Sequence, residues 1–147
     1  MRIANAAIAS IVTGQIMAID LQPDNASPNI TLYGIPNCTT VKKARQWLDE
    51  RHIHYQFHDF KRQGVLAILT EWINRFGWEE ILNRRGTTWR KLPDTRKAAI
   101  SDAASAILLM QEQPSSIKRP VLVVAKTPHI GFDSNEWHTI FSRDIHD

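Results

Sequence analysis

Residues 30–60 constrain the fold more than any other stretch, because two short β-prone runs there are separated by one run of helical length. Ile30 and Leu32 alternate with Thr31 and Tyr33, and residues 53–60 (Ile-His-Tyr-Gln-Phe-His-Asp-Phe) alternate again, the period of two expected of strands. Between them Val41, Ala44, Trp47 and Leu48 recur at helical spacing over 40–51, with Lys42, Lys43 and Arg45 predicted to face solvent. A helix joining two strands forces them to pair in parallel through a right-handed crossover.

The remaining pattern extends this β-α-β unit. Leu66, Ile68, Leu69, Trp72, Ile73 and Phe76 predict a helix stopped at Gly77, and a short helix leads to residues 84–89. Residues 93–100 and 102–113 predict two more helices, the second limited by Pro114. Val121, Leu122, Val123 and Val124 form the continuous apolar run of a central strand. Residues 129–132 are its expected hairpin partner, and 134–141 a terminal helix capped by Ser134. The order β-α-β, helices, β-β-α predicts an α/β, thioredoxin-like fold: a mixed four-stranded sheet carrying a helical insertion. Residues 1–29 end in a linker-like Asp-Asn-Ala-Ser-Pro-Asn cluster, so they are expected to be a flexible N-terminal extension to a domain spanning 30–147. Their short apolar run is interrupted at Gln15 and is not expected to be a signal peptide; Met17 offers a second start.

With 43% hydrophobic residues and five Trp among 147, the chain can bury one sizeable core. A net charge of +3 is too mild to predict nucleic-acid binding and suits a small anionic substrate. No apolar run approaches the roughly 18 residues of a membrane span. The lone cysteine, Cys38, excludes an intramolecular disulfide and a four-cysteine zinc site, and it predicts a cytoplasmic protein whose redox cycle needs an outside thiol.

Cys38 follows Gly34-Ile35-Pro36-Asn37, turn chemistry that puts it at a helix N-terminus. Unpaired N–H groups and the helix dipole favour an anion there, so the thiol is predicted to have a lowered pKa and raised nucleophilicity. Thr40 offers a hydroxyl donor to that site, or serves as an ordinary first-turn hydrogen-bonding residue. His52, His54 and His58 share one strand parity but lack acidic or thiol companions at metal spacing, so they are expected to be solvent-exposed and no metal site is predicted. Asp59 and Asp102 have no partner carboxylate for acid–base work, and Trp72, Trp78 and Trp89 are expected in core or groove packing.

The runs Leu-Tyr-Gly-Ile-Pro-Asn-Cys (32–38), Lys-Lys-Ala (42–44), Phe-His-Asp (57–59), Asn-Arg-Arg-Gly-Thr-Thr-Trp-Arg-Lys-Leu (83–92), Asp-Ala-Ala-Ser-Ala (102–106) and Ile-Lys-Arg-Pro (117–120) are collinear and well separated. Together they resemble the arsenate-reductase-like (ArsC) family, and more closely its small YffB-type branch. The resemblance implies that Cys38 is the nucleophile and Arg119 an oxyanion-binding arginine, with Arg85 or Arg84 in the place of a second one. Pro120 resembles the cis-proline of thioredoxin-like folds, with Asn37 as a neighbour of the site. The family's third arginine has no counterpart in residues 127–132, which weakens the case for arsenate itself. A reductase reading implies glutathione as co-substrate, no bound cofactor, and regeneration by a glutaredoxin-type partner. The alternative is a regulatory binding module like the Spx proteins of the same superfamily, which grip RNA polymerase; their Cys-x-x-Cys switch is absent because Val41 holds the second position.

Overall fold

The computed structural model describes residues 29–146, with side chains to residue 143; the expected extension over residues 1–29 lies outside them apart from Asn29. Strand β1 (Ile30–Gly34) leads into α1 (Thr39–Glu50), and β2 (Gln56–Asp59) into a single turn, α2 (Phe60–Gln63). The insertion is α3 (Leu66–Phe76), α4 (Trp78–Ile81), α5 (Thr87–Arg90), α6 (Asp94–Ala99), α7 (Ala103–Glu112) and a 3-10 turn at Pro114–Ser116. Strands β3 (Val121–Val124) and β4 (Thr127–Ile130) and helix α8 (Ser134–His146) close the fold.

The sheet order is β2-β1-β3-β4. β1 runs parallel to β2, with Gly34 opposite Asp59, and antiparallel to β3, with Leu32 opposite Leu122. This is the thioredoxin-like order, with β1 and β3 central. Period-two alternation then sorts side chains between two cores. Leu32, Leu122 and Val124 pack with Ala44, Trp47 and Leu48 of α1 and Trp137 of α8 on one face. Val121 packs on the other with Phe60 of α2, Leu69, Trp72, Leu109 and Met110 of the insertion, and Ile117 that follows it.

Several boundaries differ from the sequence reading. β2 begins at Gln56 rather than residue 53, because α1 ends through His52 with φ of 56°, and the chain needs three more residues to return to the sheet. His52 and His54 are therefore exposed in the connection and not on a strand. His58 is on the strand but only half exposed, its ring 4.7 Å from that of Tyr33 and its Nε2 2.8 Å from the Gly64 carbonyl. Asp59 ends β2 by capping α2, accepting from the Lys61 N–H at 2.9 Å. Asp102 caps α7 in a reciprocal box with Ser105. For α8 the capping carboxylate is Asp133, which accepts from the Glu136 N–H at 2.9 Å, rather than Ser134. β4 starts at Thr127, two residues before the expected position, and its edge placement tolerates the buried Pro128. Trp72 is buried, and Trp78 and Trp89 pack against the insertion core. Among the described residues no helix is long and apolar enough to cross a membrane.

Candidate active site

Cys38 is the N-cap of α1, with φ −143° and ψ 127°, and its carbonyl takes the first helical bond from the Lys42 N–H at 2.9 Å. The close approach of β1 to α1 sets this position: a Cβ on Gly34 would lie 2.8 Å from Val41 Cγ2. Cys38 is half-buried, and that burial works against a charged sulfur. The Val41 N–H, the Arg119 guanidinium through hydrogen bonding and charge, and the Thr40 N–H outweigh it, holding the thiol below its ordinary pKa. No hydrogen bond of cap geometry closes onto the sulfur; the two amides act on it as donors at the positive end of the helix. Thr40 thus contributes its backbone, while its side chain is exposed. Asn37, just ahead of the thiol, is exposed as well.

Arg119 is half-buried at the start of β3, and its peptide bond to Pro120 is cis. Its Nη1 donates to the carbonyls of Ser115 at 2.7 Å and Ile117 at 3.1 Å, while Nε is buried without a partner among the described residues. Two carbonyls on one amino group fix one end of the fork, and the guanidinium acts on the thiol. The Pro120 carbonyl accepts from the Gly131 N–H at 2.8 Å, which ties the beginning of β3 to the end of β4.

Arg84 and Arg85 are exposed between α4 and α5 and are not among the groups acting on Cys38. Arg84 lies over the Trp78 ring at 5.7 Å, and the Arg85 N–H donates to Asn83 Oδ1 at 3.1 Å. Both border a cleft of about 300 Å³ together with Lys118, the neighbour of Arg119. The bridge between Leu82 and Ile117, with the Asn83 N–H on the Ser116 carbonyl at 2.8 Å, keeps this loop beside the start of β3.

Two parts of the site escaped sequence reasoning. The Ser115 and Ile117 carbonyls that orient Arg119 carry no residue-type signal. Arg45, expected to face solvent, instead lies 4.2 Å over the Phe57 ring and donates from Nε to Tyr55 Oη at 3.0 Å. The alternation of Tyr55 and Phe57, ten and twelve residues after this basic helix residue, is the only hint of it in the sequence.

The ArsC family model matches residues 33–140, which contain Cys38, Arg119 and the whole sheet apart from the first residues of β1. The chain belongs to the ArsC family. An uncharacterised Haemophilus influenzae protein is 40% identical over 114 residues, 77% of this chain and 99% of its own length. The global transcriptional regulator Spx of Streptococcus pyogenes is 33% identical over 121 residues, 78% of this chain and 87% of its own. Among solved structures, a YffB protein superposes with TM-score 0.69 at 46% identity, covering 75% of this chain and 96% of that one. An arsenate reductase (ArsC) related protein from Brucella melitensis gives 0.64 at 44% identity, covering 82% and 98%. The relatives of this chain therefore include both a reductase-related protein and a transcriptional regulator.

Proposed function

We propose that this protein is a cytoplasmic single-cysteine reductase acting on a disulfide or a tetrahedral oxyanion, with glutathione as the resolving thiol. The observation that carries the reading is the half-buried Cys38 thiol between the first amides of α1 and the Arg119 guanidinium. The thiolate is the nucleophile of thiol–disulfide exchange, and fixed donors around it also suit an incoming anion. With a disulfide, Cys38 attacks one sulfur, the substrate S–S bond breaks and a thiolate leaves. A glutathione thiolate then attacks the mixed disulfide and releases Cys38. A second glutathione reduces the resulting mixed disulfide of glutathione and substrate when the product is to be fully reduced, so two electrons come from two thiols. The missing third arginine favours a disulfide over arsenate, since losing one charge-assisted partner of a dianion costs about 1.5–3 kcal/mol. A glutaredoxin-type partner is the external thiol that regenerates Cys38 from a mixed disulfide with glutathione, its own thiolate attacking that disulfide and releasing Cys38.

The test is turnover of a small mixed disulfide, and of arsenate, with glutathione as reductant, beside the pH dependence of Cys38 alkylation. Turnover lost in Cys38→Ser, together with a thiolate formed below the ordinary range, supports the proposal. An ordinary thiol with no turnover of either substrate overturns it. The likeness to Spx then favours a second reading, a module that binds transcription machinery and tolerates Cys38→Ser.

A further inference from the structure

The two carbonyls that hold Arg119 Nη1, those of Ser115 and Ile117, stand on either side of Ser116, and each is itself held from behind. A planar trans peptide unit points its C=O and its N–H in opposite directions, so a bond that fixes the N–H also fixes the carbonyl. The unit carrying the Ser115 carbonyl ends in the Ser116 N–H, which donates to the Gln113 carbonyl at 2.8 Å. The unit carrying the Ile117 carbonyl ends in the Lys118 N–H, which donates to the Ile81 carbonyl at 2.8 Å. In the unit between them the Ser116 carbonyl accepts from the Asn83 N–H at 2.8 Å, and the Ile117 N–H donates to the Pro114 carbonyl at 3.1 Å. Three consecutive peptide units are thus anchored just ahead of Arg119, two of them to the segment 81–83 that follows α4 into the next loop.

Ser116 is the one buried polar residue among the described residues, and it has no exposed surface. A buried hydroxyl is costly unless it is bonded. Here Oγ donates to the Gln113 carbonyl at 2.7 Å, the same acceptor that the Ser116 N–H uses. Alanine has nearly the same bulk and no polar group to satisfy, so apolar packing does not call for a serine at this place. What the hydroxyl adds is a second donor on the acceptor that orients the Ser115–Ser116 unit, which narrows the rotation open to the Ser115 carbonyl. Gln113 is in turn tied to the end of α7 by its N–H on the Leu109 carbonyl at 2.7 Å. The bonds run without a break from α7 through Gln113 and Ser116 to Arg119, whose guanidinium acts on Cys38.

We infer that Ser116 is a positioning residue of the thiol site: its hydroxyl and N–H together hold the Gln113 carbonyl, and through it the Ser115 carbonyl that keeps Arg119 in place beside Cys38. The inference rests on the reading of Cys38 as a thiolate assisted by Arg119, and not on which substrate that thiolate attacks. Ser116 touches neither the sulfur nor any reacting atom; it acts through Arg119.

The experiment reads the titration of Cys38, by thiolate absorbance against pH, in four full-length chains: the parent, Ser116→Ala, Arg119→Gln and the double variant. Ser116→Ala is expected to lower the acid dissociation constant of Cys38 at least about twofold, the lower end for groups that share one hydrogen-bond network, and to change nothing once residue 119 is Gln. A parent-like titration in Ser116→Ala, or the same shift in both backgrounds, overturns the positioning role. Where Arg119→Gln moves the titration and Ser116→Ala does not, the reductase reading stands and the positioning role alone falls. Where neither moves it, Arg119 does not act on the sulfur, and the observation beneath the reductase reading falls with the positioning role. Amide hydrogen exchange tests the same link in reverse, in chains that keep Ser116. The Ser116 and Lys118 amides are expected to exchange at least about twofold faster in Arg119→Gln than in the parent, relative to the Leu69 amide, which bonds the Val65 carbonyl at 2.9 Å in the first turn of α3. Unchanged relative exchange at both amides overturns the inference.

Discussion

Arg119 is held by two main-chain carbonyls on its Nη1, and its guanidinium acts on Cys38 at the start of α1 through hydrogen bonding and charge. These residues flank different central strands, Cys38 in the loop after β1 and Arg119 just before β3, and the antiparallel pairing of those strands brings them together. An arginine fixed in this way needs no rearrangement when the sulfur ionises.

Replacing Arg119 by Gln removes the charge and keeps a donor of shorter reach. Its expected effect is a higher Cys38 thiol pKa and slower alkylation at neutral pH, read from thiolate absorbance against pH. An unmoved titration would show that the α1 amides alone stabilise the sulfur.

The direction of the Cys38 shift also fixes a pH dependence of stability. Its pKa is lower in the folded chain than in the unfolded one, where it is about 8.5. The native state then binds fewer protons between the two values, so stability gained from the thiolate is full above the unfolded value and disappears as pH falls through the folded one. Denaturant midpoints of the parent chain relative to Cys38→Ser are expected to rise with pH across that window. A constant difference would contradict the shift.

Gly34→Ala places a methyl group 2.8 Å from Val41 Cγ2, between β1 and α1. The expected cost is about 1–3 kcal/mol by urea denaturation, with slower Cys38 alkylation because the Val41 amide moves with the helix. Gly34→Ala combined with Val41→Ala relieves the overlap and is expected to recover part of the alkylation rate. No recovery would mean that the helix position is set elsewhere.

Trp137 is fully buried, edge-on to Trp47 at 5.6 Å and to Phe132 at 4.7 Å, and its Nε1 has no partner among the described residues. Trp137→Ala is expected to lose about 3–5 kcal/mol. Trp137→Phe retains the ring packing and removes the unpaired indole N–H, so its loss should be much smaller. Equal losses from the two variants would show that the stability comes from the full indole, whose second ring Phe does not replace.

Periodicity alone determined the β-α-β start, the helical insertion and the closing β-β-α, because the burial of a helix face or a strand is written in neighbouring residues. The lone Cys38 after turn residues and before a helix was legible for the same reason, and Arg119 entered through its resemblance to a family motif. Where the reading slipped, a local choice depended on distant packing: β2 started late because α1 needed a left-handed residue at His52 to turn back toward the sheet. Only the tertiary structure decided which arginine meets the sulfur. Arg84 and Arg85 are as basic as Arg119, but the strand order and the carbonyls of Ser115 and Ile117 bring Arg119 to the thiol. It also decided the place of Arg45, since helical spacing shows that a side chain leaves the core but not that an edge strand presents Phe57 beneath it. A sequence records which residues can be buried or charged; pairing across strands decides which of them share a site.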